Sequence, residues 1–131
     1  MSVSQRFAQG FGIIYVLVGI AGFVPPLLTG NVPGDSGPFS GLLLGLFAVN
    51  WFHSLTHLAI GAVGLAIYRS HAASQAYAMV LGIAYALLFV LGIFSGSVTT
   101  LGGLLPLNGW DDVLHIGTAL VAFGANFASR R

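Results

Sequence analysis

Four long hydrophobic stretches divide this chain, and each is close to the roughly 20 residues that a helix needs to cross a lipid bilayer. They run from about residue 7 to 28, 50 to 68, 74 to 94 and 111 to 127. Residues 77–94 lack the alternation of apolar and polar positions that marks a barrel strand. Because only helices and closed barrels satisfy the backbone within lipid, the pattern predicts an all-α integral membrane protein with four transmembrane helices.

One long loop joins the first hydrophobic stretch to the second, and another joins the third to the fourth. Residues 29–38 are rich in Gly, Pro, Asn and Asp, which is typical of turns at a water interface. Residues 39–49 are apolar but too short to span a bilayer. They are predicted to lie in the interface, to enter the membrane as a re-entrant segment, or to extend the second helix. Residues 101–107 resemble them in composition, and Pro106 argues against a continuous helix there.

One polar pattern recurs where the second and fourth helices begin. Residues 45–57 and 103–115 both fit Gly-Leu-x3-Asn-x2-(His or Asp)-x3-His. The first helix also recurs as the third, seventy positions later, through Gln5/Gln75, Gly12/Gly82, Ile13/Ile83, Tyr15/Tyr85, Leu17/Leu87 and Gly22/Gly92. We therefore predict one domain, residues 1–131, made of two pseudo-repeated hairpins at about 5–68 and 74–128. Repeats of the same orientation imply a pseudo-two-fold axis along the membrane normal.

Composition strengthens the membrane interpretation and excludes several functions. Hydrophobic residues make up 56% of the chain and charged residues only 5%, against roughly 25% charged residues in ordinary soluble domains. The net charge of +1 is too small to indicate a nucleic-acid partner. The sequence has no cysteine and no glutamate, which excludes thiolate metal sites and paired-glutamate catalysis, and it carries no nucleotide-binding or hydrolase motif. We therefore do not expect an enzyme.

The few charges predict an orientation. Every arginine lies before the first helix, between the second and third, or after the fourth, at Arg6, Arg69, Arg130 and Arg131. The aspartates Asp35, Asp111 and Asp112 fall on the opposite side. Since arginine and lysine bias sets membrane topology, both termini are predicted to be cytoplasmic, in an inner or plasma membrane. The Asn/His/Asp cluster then faces outward.

The candidate site residues begin with two predicted helix caps. Asn50 and Asn108 each precede an apolar helix, and asparagine is among the best N-caps because its side chain accepts from free amides of the first turn. Asp111 and Asp112 follow in a first turn, where negative charge suits the helix dipole. His53 is the counterpart of Asp111 and is expected near the headgroups.

His57 and His115 lie seven residues past their caps, about 10 Å deeper along the helix. An ionisable group at such a depth normally faces the bundle interior and needs a partner. Three interpretations remain open. One is a hydrogen-bonded network that holds the hairpins in register. Another is a proton or small-solute path. The third is a cofactor site, with His57 and His115 on haem or chlorophyll, or with a metal ion such as zinc, iron or manganese on His53, His57, Asp111, Asp112 and His115.

The Asn-x2-His-x3-His stripe at 50–57 and the Asp-x2-Leu-His stretch at 111–115 resemble a bacterial family of small four-helix membrane proteins, which is catalogued as a domain of unknown function. The resemblance covers most of the chain, from the first helix to the fourth. It implies the four-helix topology and brings no activity or ligand with it.

The function expected from the sequence is that of a non-enzymatic membrane protein with a structural Asn/His/Asp cluster. Such a protein acts as an accessory subunit of a membrane complex or as a self-associating bundle. Its partners are the lipid bilayer and other membrane protein subunits or copies of itself. Metal, haem or chlorophyll binding by His57 and His115 is the alternative, followed by the proton or small-solute path.

Overall fold

The computed structural model describes residues 1–95, 99–100 and 104–130, with the backbone alone at residues 95, 99 and 100. This part of the chain contains four α-helices, which are α1 (Val3–Ala21), α2 (Trp51–Ile67), α3 (His71–Ser95) and α4 (Gly109–Ala128). The prediction of a mostly helical chain with four helices is therefore confirmed. The first apolar stretch, predicted to run to about residue 28 and to end at Pro25-Pro26, is α-helical only as far as Ala21. The two prolines begin a short 3-10 turn, Pro25–Leu27, in place of α-helix.

Short β-strands accompany the helices, so the prediction of an all-α fold is wrong in this respect. β1 (Leu28–Thr29), β2 (Gly41–Leu43) and β3 (Phe47–Val49) form an antiparallel sheet in the order β1-β2-β3. β4 (Thr99–Thr100) pairs antiparallel with β5 (Leu105–Pro106).

The β2–β3 hairpin excludes one of the alternatives for residues 39–49, the extension of α2. These residues do not extend α2, because Leu44 and Gly45 adopt φ values of +53° and +76° and turn the chain back on itself. Glycine takes such a left-handed conformation freely, whereas leucine does so rarely. In the counterpart stretch 101–107, residues 101–103 lie outside the described residues, and the strand from Leu105 to Pro106 shows that no helix continues there.

The helices pack as two hairpins, which we call hairpin one (α1 and α2) and hairpin two (α3 and α4). In hairpin one the backbones approach closely, since a Cβ atom on Gly61 would lie 2.7 Å from the Val16 nitrogen and 2.8 Å from the Gly12 oxygen. α1 also contacts both helices of hairpin two. The core between the hairpins is small and aromatic and consists of Ala8, Tyr15, Tyr77, Leu81, Tyr85, Ala119 and Ala122.

One end of the bundle gathers the chain termini and the α2–α3 turn. Gln5 donates from Nε2 to the Arg69 carbonyl at 2.9 Å, and Gln75 donates equivalently to the Ser129 carbonyl at 2.8 Å. The buried Ser4 hydroxyl donates to the Ala125 carbonyl at 3.0 Å and ties α1 to α4. The arginines at positions 6, 69 and 130 therefore share this end of the molecule. Arg131 lies outside the described residues.

The outer faces of the bundle are apolar. Leu17, Leu87 and Leu120 are 62%, 60% and 65% exposed. Within the described ranges, two helices are long and apolar enough to cross a membrane by length and composition, namely α1 and residues His71–Phe94 of α3. α2 is apolar but shorter, with 17 residues. Spanning by α2 and α4 stays a prediction.

Candidate functional site

The candidate site begins with the two asparagines at the helix N-termini. Asn50 is the N-cap of α2, and its Oδ1 accepts from the His53 backbone N–H at 2.9 Å. Asn108 is the N-cap of α4, and its Oδ1 accepts from the Asp111 backbone N–H at 3.0 Å. Each side-chain oxygen therefore satisfies an amide that the helix itself leaves without a partner.

The amide nitrogens of the same asparagines link the two hairpins. Asn50 donates from Nδ2 to the Leu104 carbonyl at 2.9 Å, and Asn108 donates from Nδ2 to the Leu46 carbonyl at 2.6 Å. Leu46 and Leu104 occupy the same position of the repeated sequence pattern. The two hydrogen bonds are thus exchanged reciprocally, and each asparagine caps its own helix while it holds the other hairpin.

Asp111 and His53 occupy equivalent positions and bind the opposite hairpin in different ways. The Asp111 Oδ2 accepts from the backbone N–H of Ala48 at 3.1 Å and from that of Asn108 at 3.0 Å. The His53 Nδ1 lies 3.0 Å from the Ala48 carbonyl oxygen, so the ring donates from Nδ1. The backbone of Pro106 is a second hydrogen-bonding neighbour of this ring. We refer to Asn50, His53, Asn108 and Asp111 as the polar cluster.

His57 and His115, which we call the deep histidines, lack such partners. They are 6% and 2% exposed, and the Nδ1 atom of each is buried without a hydrogen bond to any described residue. Each ring packs on a tyrosine, with centroids 4.8 Å apart for Tyr15 and His57 and 5.2 Å apart for Tyr85 and His115. A buried polar atom without a partner costs free energy, so an interacting group at these nitrogens would be favoured.

The two tyrosines were missed as site residues, although the sequence carried a signal for them. Tyr15 and Tyr85 recur seventy positions apart in the repeat, as the deep histidines recur fifty-eight apart. Their rings meet at 6.1 Å between the hairpins. The Tyr15 hydroxyl lies near those of Tyr85 and Thr118 but makes no hydrogen bond of good geometry with a described residue.

The five residues proposed as metal ligands do not converge. Within the described part of the chain, no three His or Asp side chains lie close enough together to hold one metal ion. Asp111 is engaged by two backbone amides. Asp112 packs against the backbone of Gly92, and its Oδ1 is buried without a partner among the described residues. The arrangement therefore does not fit one ion held by the whole set, and the deep histidines remain as candidate ligands.

Comparison with known proteins identifies the family of the chain. No curated protein and no solved structure matches it. The model of a protein family described as "Domain of unknown function (DUF4383)" matches residues 5–128, which include both hairpins and the polar cluster. The resemblance to a family of unknown function is thereby confirmed, and the chain belongs to the DUF4383 family.

Proposed function

We propose that this chain is a multi-pass protein of the inner or plasma membrane, with four transmembrane helices and both termini in the cytoplasm. The length and apolar composition of α1 and α3 support the proposal. α2 has 17 residues and is therefore about 26 Å long, which is near the hydrocarbon thickness of about 30 Å. The large exposed side chains on the outer faces support it further, because soluble monomers rarely expose such continuous apolar surface.

The orientation can be tested directly because the chain has no cysteine. Ser36 lies in the exposed loop before β2, and Ser70 lies in the exposed α2–α3 turn. A membrane-impermeant maleimide applied to intact cells is expected to label Ser36→Cys and to spare Ser70→Cys. Permeabilised cells, in which both variants react, provide the control. Labelling of Ser70→Cys alone in intact cells would invert the orientation, and equal labelling of both variants would contradict a spanning topology.

In this proposal the protein has no catalytic activity and acts through lateral contacts, as an accessory subunit or a self-associating bundle. The observation that carries it is the internal closure of the polar cluster, in which each side chain binds a partner within the chain. Side chains engaged in this way hold the hairpins in register and are not available to act on a substrate. Helix faces in lipid are then the main surface that the protein offers to a partner.

Native mass spectrometry of protein extracted in mild detergent from its own host tests this function. The expected particle is larger than a single 13.6 kDa chain. Photoreactive residues at Leu17 and Leu120, which are 62% and 65% exposed, would show which face the partner covers. A single chain at natural abundance, with cross-links to lipid only, would contradict the proposal.

A cofactor-binding function is the second candidate, and the deep histidines favour it. Their buried Nδ1 atoms have no hydrogen-bond partner among the described residues, and imidazole nitrogens are the kind of ligand that haem iron takes. Elemental mass spectrometry of the purified protein separates the two functions. Near-stoichiometric iron, zinc, manganese or magnesium that is lost in His57→Ala and His115→Ala would support cofactor binding. A folded, metal-free protein would leave the structural function in place.

A further inference from the structure

One end of the bundle carries every arginine that the structure describes. Arg6 lies in α1, Arg69 in the α2–α3 turn and Arg130 just after α4, and all three side chains are exposed. We call these three residues the arginine end. The three acidic residues of the sequence lie in the loop before α2 and in the first turn of α4, at the opposite end of the bundle. The chain therefore supplies no acidic side chain to neutralise the arginine end.

Contacts to the first turn of α1 bring the arginine positions of the two hairpins together. The Ser4 backbone N–H donates to the Ser129 Oγ at 2.7 Å, one residue before Arg130. The next residue, Gln5, donates from Nε2 to the Arg69 carbonyl at 2.9 Å. The residue after Gln5 is the third arginine. The backbone positions that carry the three guanidinium groups thus meet at the N-terminal turn of α1, where the helix dipole adds a partial positive charge.

Arg69 and Arg130 are held in equivalent ways. Each lies two residues past the end of its helix, α2 or α4. Each donates from Nε to an oxygen close by, the Tyr68 hydroxyl at 3.2 Å or the Asn126 Oδ1 at 3.1 Å. Each guanidinium carbon also lies over an aromatic ring, 5.7 Å from the Tyr68 centroid or 4.4 Å from the Phe127 centroid. The Nη atoms of both make no hydrogen bond to a described residue, so they are available for paired hydrogen bonds to the oxygens of a phosphate group.

In the proposed membrane topology, these two arginines lie at the level of the lipid phosphates. At 1.5 Å per residue, Arg69 is roughly 27 Å from the level of Trp51, and Arg130 is roughly 30 Å from that of Trp110. Tryptophan favours the membrane interface, and the hydrocarbon region is about 30 Å thick. Phe127, which is 56% exposed, lies on the apolar side of Arg130. Lipid phosphates are present at this level, whereas a soluble acidic protein is not.

We propose that the arginine end binds anionic phospholipids of the cytoplasmic leaflet, with phosphate groups on the guanidinium groups of Arg69 and Arg130. The sequence has no lysine, so these cations all have the planar geometry that pairs with phosphate oxygens. A zwitterionic phospholipid is disfavoured, because its own ammonium group would lie among cations that have no acidic neighbour. This inference rests on the proposed membrane insertion, and it adds a lipid to the partners of the chain.

Native mass spectrometry tests the proposal on the full chain released from nanodiscs of equal parts phosphatidylglycerol and phosphatidylcholine. Phosphatidylglycerol is expected to be retained about thirtyfold over phosphatidylcholine, since each of the two arginines contributes about fivefold. Equal retention of the two lipids, or retention of neither, would overturn the proposal. Maleimide labelling of Ser36→Cys and Ser70→Cys reports separately on membrane insertion. A correctly inserted protein without this lipid preference therefore contradicts the present inference alone.

The variants Arg69→Gln and Arg130→Gln test the location of the lipid, because each removes one positive charge from an exposed side chain. Each is expected to lower the preference for phosphatidylglycerol about fivefold, and the double variant should retain the two lipids almost equally. The unfolding temperature in phosphatidylcholine alone should stay the same. Asn31→Asp is the matched control, because it changes the net charge by the same amount in the exposed loop at the opposite end. An equal loss of preference in Asn31→Asp, or an unchanged preference in the double variant, would rule out the arginine end as the binding surface.

Discussion

Hairpin one and hairpin two use the same asparagines but different partners beside them. Asn50 and Asn108 exchange equivalent hydrogen bonds with the opposite hairpin. Three residues later, hairpin one has the donor His53, and hairpin two has the acceptor Asp111. The difference shows that a repeat can preserve the hydrogen bonds of one residue, here the asparagine, while the residue three positions later differs according to the backbone that it faces.

The backbone facing these residues explains the adaptation. Asp111 accepts from the N–H of Ala48. The repeat counterpart of Ala48 is Pro106, which has no N–H and offers only a carbonyl. A carboxylate at position 53 would therefore face acceptors, whereas the His53 ring can donate and lies against the carbonyl of Ala48 and the backbone of Pro106. The His/Asp difference and the Ala/Pro difference are thus two parts of one arrangement.

The largest expected effect comes from removing this difference. His53→Asp places an acceptor against carbonyl oxygens and is expected to lower the free energy of unfolding by about 3 kcal/mol. Adding Pro106→Ala supplies a backbone N–H that can donate to the new carboxylate at position 53, as the Ala48 N–H donates to Asp111. The double variant should therefore recover about 1 kcal/mol of that loss. Denaturant unfolding in mixed micelles measures both values. Pro106→Ala alone is the control, and strict additivity of the two changes would show that the residues are not coupled.

Helix contact also distinguishes the hairpins. Gly61 in α2 touches the α1 backbone, and its repeat counterpart in α4 is Ala119, which is 1% exposed. Gly61→Ala is expected to cost about 2 kcal/mol, because the added methyl group meets the Val16 nitrogen and the Gly12 oxygen and forces α1 and α2 apart. Ala119→Gly should cost only about 1 kcal/mol, chiefly through helix propensity. Equal losses in the same unfolding assay would mean that hairpin one is no more closely packed than hairpin two.

The sequence predicted what depends on local patterns. The apolar stretches indicated four helices, and the asparagines marked where α2 and α4 begin, because spacing and caps act over a few residues. The strands in residues 41–49 were not predicted, since an apolar run of this length fits a helix, an interfacial segment or a strand. The strand conformation follows from pairing with the distant Leu28–Thr29 and from the turn at Leu44 and Gly45.

The same distinction applies to the candidate site. The repeated motif indicated that Asn50 and Asn108 are equivalent, but not that each donates to the other hairpin, because Leu104 and Leu46 are remote in sequence. The sequence also singled out the deep histidines by their depth. Both line the cavity between α2 and α3 and neither is among the described residues that line the equivalent cavity between α1 and α4, whereas a strict two-fold arrangement would give the two cavities the same histidines.

A smaller difference is expected when the amide donors of the asparagines are removed. Asn50 also donates to the Asp35 carboxylate at 2.8 Å, a contact that Asn108 lacks within the described residues. Asn50→Ser would leave the Asp35 carboxylate without this donor, so it should be about 1 kcal/mol more destabilising than Asn108→Ser. Both variants keep a capping oxygen and add no charge, which isolates the donor effect. In an Asp35→Ala background the two serine variants should cost the same, and a difference that persists would assign it to another contact.

The smallest expected effect concerns Ser54 and Asp112, which the repeat also relates. Ser54 packs against Gly22, which directly follows α1, and Asp112 packs against Gly92 of α3. A Cβ atom on either glycine would overlap its partner, and Ser54 and Asp112 each have a buried oxygen without a partner among the described residues. Ser54→Ala removes such an oxygen and nothing else, so the free energy of unfolding should change by no more than about 0.5 kcal/mol or rise slightly. A loss well above that value would reveal a bound group on the Ser54 hydroxyl. Ser54→Gly is the control for packing, because it also removes the Cβ atom that lies against Gly22. A loss seen in Ser54→Gly but not in Ser54→Ala would come from packing and helix propensity and not from the hydroxyl group.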